Sequence, residues 1–350
     1  MPAAGMNCFP SIGKLLRTAG NPQQRLLGGL RRPLVERLLG ASSPRSLRRF
    51  APCSTWHAHC FPYLEDDGLA GGRPIRSYGH VGQSVSLQPS QQAPLGAENS
   101  NPSFALLGVE LANLSVDAAL GMVFEQLRAR DTTSLFFFAN AHTLDLAVRC
   151  ESFRRTLGQA SCVLSDGIGI RIGAWANGVT LADNLCGTEF IPRLLSIESN
   201  PKFSYYLLGA TRDSIADAAQ EATASFPNWH QVGFHHGYLQ RKDSSRVVKK
   251  INAARPDLLL VGMGSPLQEQ WLVENRCRLR VPVCAGVGGL FDFWSGRRTR
   301  APLLLRKSSL EWLYIALTEP HKWRRYAFGA PRYLAYVAMA RLPMARRALT

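Results

Sequence analysis

Between residues 104 and 294, five apolar runs punctuate the chain: 135–139 (LFFFA), 160–164 (ASCVL), 203–208 (FSYYLL), 257–261 (DLLLV) and 281–287 (VPVCAGV). The stretches 144–157, 212–225, 244–254 and 265–279 between them carry apolar residues at helical spacing. Strands apolar along their whole length are buried on both faces. When 10–15-residue helices separate them, they form βαβ units and a mainly parallel sheet. The pattern therefore predicts an α/β core over 101–294, with helices on both faces of the sheet.

The flanks differ. Residues 1–100 mix Pro, Gly, Ser and Gln with scattered Arg and show no sustained period. Such a segment buries too little apolar area to offset chain entropy, so it reads as a disordered or poorly ordered extension without chemistry. Its Arg-rich, acid-poor first 60 residues resemble a transit peptide in composition. Residues 295–350 hold twelve Lys and Arg against Glu311 and Glu319, which is ten of the chain's +16 net charge. Aromatic residues are interleaved there, and Leu310, Leu313, Tyr314 and Leu317 form an apolar stripe. A basic amphipathic segment with Trp and Tyr reads as a membrane-surface appendage drawn to anionic lipid.

Composition narrows the classes further. At 46% hydrophobic and 19% charged residues the chain can bury a core, and it has no 18-residue apolar run to cross a bilayer. The eight cysteines contain no C-x-x-C pair, which argues against a disulfide scaffold or zinc ribbon. No zinc-finger, RNP-like or basic-zipper pattern supports nucleic acid as the acidic partner.

Ligands of such sheets bind past the strands' carboxyl ends. Those positions read Asn140-Ala-His-Thr143, Ser165-Asp166-Gly167-Ile-Gly169, Gly209-Ala-Thr211, Gly262-Met-Gly264-Ser-Pro-Leu-Gln268-Glu269 and Gly286-Val-Gly288-Gly289-Leu-Phe-Asp292. Glycines there let backbone N–H groups approach a phosphate at a helix start. The chain has no Walker A motif, and no G-x-G-x-x-G follows the first strand, so kinase and NAD chemistry lack support. Asp166 follows an apolar strand, where partial desolvation favours a general base; the same placement also suits a helix cap. Ser265-Pro-Leu-Gln268 matches a capping box with Pro at the first helical position. His235 and His236 alternate sides on a strand and make a poor metal pair. No Asp-x-Asp motif is present to hold a divalent cation on a diphosphate. No metal or other cofactor is therefore expected.

These segments, together with Cys186-Gly-Thr188-Glu189, His236-Gly-Tyr238, Arg300-Ala-Pro302, Leu310-Glu-Trp312 and Glu319-Pro320, come in the order of the WecG/TagA/CpsF glycosyltransferases (glycosyltransferase family 26), which the chain resembles over roughly 104–335. The resemblance implies a Rossmann-like fold and inverting transfer of a sugar from a UDP-sugar to a polyprenyl-diphosphate-linked saccharide. The sugar would be of the N-acetylmannosamine, N-acetylmannosaminuronate or glucuronate type, for wall polymer, common antigen or exopolysaccharide synthesis. It implies Asp166 as the base, and an enzyme peripheral on the cytoplasmic face of the plasma membrane that could be a homo-oligomer. Substrate contacts are then expected from Asn140, Thr143, Gly167, Thr188, Gly262, Gly264, Gln268, Gly288, Gly289 and Asp292, with Arg297, Arg300 and Arg306 holding the leaving diphosphate. Phe138 stands where the family has Thr, and Asn184 where it has Arg. The competing reading keeps the fold without catalysis: a nucleotide-binding, membrane-associated interaction protein.

Overall fold

A computed structural model describes residues 103–302, 314, 318 and 325–341. The expected extension 1–100, Arg306 and, of the apolar stripe, Leu310, Leu313 and Leu317 lie outside the described residues.

Among the described residues, eight strands form one sheet: β1 (Ser103–Leu106), β2 (Val109–Ala112), β3 (Ser134–Ala139), β4 (Cys162–Ser165), β5 (Ser204–Gly209), β6 (His230–His235), β7 (Leu258–Gly262) and β8 (Val283–Gly286). The order is β1-β2-β4-β3-β8-β7-β5-β6. Only β1 and β2 pair antiparallel; every other neighbour is parallel. The fold is α/β and Rossmann-like, as the periodicity predicts. The β1–β2 hairpin carries no turn signal in the sequence. Its two-residue loop is Leu107-Gly108, both at positive φ, the geometry that Asn-Gly usually supplies.

The helices are α1 (Val116–Ala129), α2 (Ala141–Arg149), α3 (Glu151–Leu157), α4 (Ile168–Ala176), α5 (Gly187–Ser196), α6 (Arg212–Ser225), α7 (Ser244–Ala254), α8 (Leu267–Asn275), α9 (Leu290–Trp294) and α10 (Ala330–Ala340). The apolar runs explain how they are layered. On β3, Leu135 and Phe137 enter one core with α2, α3, α4, α7, α8 and α10. Phe136 and Phe138 enter the other, with α1, α5, α6 and α9. Tyr205, Leu207, Leu258 and Leu260 alternate in the same way with Tyr206, Leu208, Leu259 and Val261. Full burial of each such side chain stabilises by about 1.5–3 kcal/mol, so neither face of these strands tolerates polarity.

The C-terminal helix is tied to this core. Arg332 donates through Nε and Nη2 to the Asp145 carboxylate of α2 at 2.6 and 2.7 Å, and Arg149 approaches the same group at 3.2 Å. Asp145 is only 1% exposed. Tyr333, equally buried, donates its hydroxyl to the Gly169 carbonyl in the first turn of α4 at 2.9 Å. These two residues of the basic appendage thus bind the core.

Candidate active site

All the parallel strands end at one edge of the sheet. There, β3 and β7 feed helices α2 and α8 on one face, while β8, between them, feeds α9 on the other. Chains leaving neighbouring strands in opposite directions open a crevice at their carboxyl ends.

One side of the crevice is built by β3 and β4. Asp166 is the first residue past β4, half-buried. Its backbone N–H donates to the Ala139 carbonyl at 2.9 Å, carrying the β3–β4 ladder one residue beyond the Ala139–Ser165 pair. Gly167 takes φ +89°, a left-handed value that disfavours side chains, and it, not Asp166, occupies the N-cap of α4. Its N–H donates to Asn184 Oδ1 at 2.6 Å. So where the resembled family has Arg, this chain uses an amide to pin the backbone next to Asp166. Asn140 caps α2, its Oδ1 accepting from the backbones of His142 and Thr143 at 3.1 and 3.2 Å. Thr143 is buried and also turns its hydroxyl onto Asn140. Phe138, at the family's Thr position, packs into the core against Gly187 and Phe190.

The other side is built by β7 and β8. A Cβ on Gly262 would lie 2.7 Å from the Phe291 ring and 2.8 Å from the Gly288 carbonyl oxygen. The two loops touch only because that position has no side chain. Gly262→Ala is expected to cost about 1–3 kcal/mol through overpacking and to shift the Gly288 loop; denaturant unfolding measures the first and nucleotide affinity the second. Gly264 and Gly288 take φ +78° and +58°. The predicted capping box does not form. Pro266 holds the N-cap of α8 without a side-chain cap bond, and the Gln268 backbone N–H donates to the Gly264 carbonyl. The Gln268 side chain is instead buried, its Oε1 accepting from Gly288 N–H at 2.9 Å. A bond across the crevice to the next loop won over a local one.

Cations come from the segment after α9. Arg298 and Arg300 both lie over the Phe293 ring, 5.1 and 5.5 Å from its centroid. Arg298 Nη2 is 3.5 Å from Asp292, and Gly289 is small enough to admit the same guanidinium. Arg300 Nη2 donates to the Thr188 carbonyl in the first turn of α5, while its buried Nε has no hydrogen-bond partner among the described residues. Arg297 is exposed. Gly289, Asp292, Thr188, Arg298 and Arg300 are thus brought together, whereas Thr143 and Gln268 serve the scaffold. At the β6 end, the rings of His235 and His236 stand 4.4 Å apart rather than on opposite sides, because the strand ends at His235. Among the described residues, no three His, Cys, Asp or Glu side chains converge as a metal site would need, no helix is long and apolar enough to cross a membrane, and the cysteines are free thiols.

A mainly parallel sheet with a carboxylate at the exit of one strand, glycine loops two and three strands away and arginines brought back to Gly289 and Thr188 defines an α/β protein whose candidate site lies at the strands' carboxyl ends. The Glycosyl transferase WecG/TagA/CpsF family matches residues 104–347, and the chain belongs to it. Among its relatives is the N-acetylglucosaminyldiphosphoundecaprenol N-acetyl-beta-D-mannosaminyltransferase of Staphylococcus aureus strain NCTC 8325 / PS 47. The two are 30% identical over 221 residues, which is 63% of this chain and 85% of the relative. The protein of the same name from strain MRSA252 is 32% identical over 222 residues, with the same coverage.

Proposed function

We propose that this glycosyltransferase moves a sugar of the N-acetylmannosamine, N-acetylmannosaminuronate or glucuronate type from a UDP-sugar to a polyprenyl-diphosphate-linked saccharide, inverting the anomeric centre. The reading is carried by Asp166, held at the crevice by backbone bonds on both sides: its own N–H to Ala139 and that of Gly167 to Asn184. In this mechanism Asp166 accepts the acceptor hydroxyl's proton as that oxygen attacks the anomeric carbon opposite UDP. One displacement inverts the centre without a covalent enzyme intermediate. Charge developing on the departing diphosphate is met by Arg298, Arg300 and the backbone amides of the glycine loops. Asn140 and Thr211 already fill the N-termini of α2 and α6. The first turns of α4 and α5 have no side-chain cap, which suits their leading amides to ligands.

Membrane association is part of the same proposal. Ile172 and Trp175 of α4 and Leu334 of α10 are exposed, as are Arg171 on α4 and Arg341 at the C-cap of α10, and Tyr333 joins those helices. Apolar side chains interspersed with cations suit an anionic lipid surface, where a polyprenyl acceptor resides.

The test is a panel of UDP-sugars with a short polyprenyl-diphosphate-linked N-acetylglucosamine, with product mass and anomeric configuration as readouts. One sugar is expected to transfer with inversion, at a rate unchanged by chelation of divalent metals. Retention of configuration, or loss of activity with chelator, would overturn the corresponding part. Flotation with anionic vesicles tests the membrane surface, and equal recovery with neutral vesicles counts against it.

A further inference from the structure

Glu269 lies at the start of α8, fully buried, and the mechanism above does not use it. Its Oε1 accepts two hydrogen bonds, from Ser265 Oγ at 2.7 Å and from Gln268 Nε2 at 2.8 Å. Its Oε2, also buried, has no partner among the described residues. Gln268 then passes the order on. Because its Nε2 is taken up by Glu269, its Oε1 must face the other way, and it accepts the Gly288 N–H at 2.9 Å. A side-chain amide is nearly symmetric in shape, so only its partners choose which end is oxygen. Were the amide reversed, Nε2 would meet the Gly288 N–H, donor against donor. A Cβ on Gly286 would sit 3.0 Å from Nε2, so the amide is also gripped by the floor of the loop.

The geometry points to Glu269 as a positioning residue that works as an uncharged acid: it sets the orientation of the Gln268 amide, and through it the shape of the Gly286–Gly289 loop that receives the donor. Several observations favour the uncharged form. An ionised carboxylate would bury a full charge with one oxygen unbonded, far costlier than a hydroxyl in the same place. Burial pushes the Glu269 carboxyl above its usual range, the Ser265 and Gln268 bonds and the residue's own backbone N–H opposing only in part, and no charged group enters among the influences on it. Its two bonds need an acceptor, and the carbonyl oxygen of a neutral acid provides one.

The proposal's donor arm rests on the reading of the preceding subsection; its structural arm does not. Two substitutions separate the roles. Glu269→Gln keeps the accepting oxygen and the neutrality, whereas Glu269→Met keeps the volume and removes the acceptor. Amide hydrogen exchange over 286–289 should match wild type in E269Q and be faster by about tenfold or more in E269M. With the donor sugar found by the panel, E269Q should keep kcat/KM within about threefold, and E269M should raise the donor KM by about tenfold with a smaller change in kcat.

Thermal melts give a third readout. Between the ordinary carboxylate range and the raised value in the fold, folded Glu269 holds a proton that the unfolded chain has lost. Unfolding then releases a proton, and stability falls as pH rises. Wild type should therefore lose melting temperature relative to E269Q as pH rises above the ordinary carboxylate range, about 4.3. E269M with wild-type exchange and KM would overturn the relay. E269Q as damaged as E269M, or with no stability gain at the higher pH, would overturn the uncharged role. If E269M does not fold, E269Q decides alone by exchange and melting. Absence of UDP-sugar turnover in wild type would remove the donor reading, yet the exchange and melting measurements would still judge the relay.

Discussion

Asp166→Asn is expected to lower sugar transfer by about 10²–10⁴-fold, the range that a positioned general base supplies, while the affinity for UDP changes little. The substitution keeps the shape and leaves the two backbone anchors in place, since the Asp166 N–H to Ala139 and the Gly167 N–H to Asn184 bonds involve no carboxylate. What the substitution takes away is the carboxylate's negative charge and with it the ability to accept a proton. Steady-state transfer with the preferred donor, alongside calorimetric UDP binding, separates the two effects. A variant that turns over normally would eliminate the base assignment; one that also loses UDP would mean the carboxylate belongs to the donor site instead.

Asp145→Ala is the second large effect, expected far from the reacting atoms. The carboxylate is 1% exposed and gathers Arg332 and Arg149; without it two guanidinium groups are left facing each other. Breaking a buried pair by deleting one partner costs about 3–5 kcal/mol. The low end applies here, because the Arg332 and Arg149 side chains are 38% and 35% exposed. At about 2–4 °C per kcal/mol for a domain of this class, the melting temperature should fall by roughly 6–12 °C. Activity should fall as well, because α10 carries Tyr333, whose hydroxyl holds the Gly169 carbonyl three residues past Asp166. Tyr333→Phe removes that single bond, worth about 1 kcal/mol, and separates the local effect from general loosening of the helix. If Asp145→Ala melts with wild type, the apolar contacts of Tyr333 and Val337 and the Tyr333–Gly169 hydrogen bond suffice to hold α10, and its ion pair is incidental.

How far the chain could be read in advance depended on the range of the interactions involved. The strand runs were legible because burial on both faces demands an unbroken apolar stretch, as in Leu135–Ala139. The half-exposed edge strand His230–His235, without such a run, left no comparable trace. The loops after β3, β4, β7 and β8 were legible because strand ends in a parallel sheet share one edge, so position along the chain was enough. The Gln268 side chain was misread because a capping box is a local pattern, while its true partner, Gly288, lies 20 residues on in the next loop. Nothing near Arg332 in the chain points to Asp145, 187 residues away, so their ion pair left no local trace.

From its order of residues alone, then, this chain specifies an α/β sheet and the edge onto which the glycine loops and Asp166 open, since alternation and strand-end spacing are short-range properties. Which amide turns toward which loop, which arginine stacks on Phe293 and which is drawn to a buried carboxylate were decided only when distant segments packed, because hydrogen bonds and ion pairs depend on distances that chain separation does not encode.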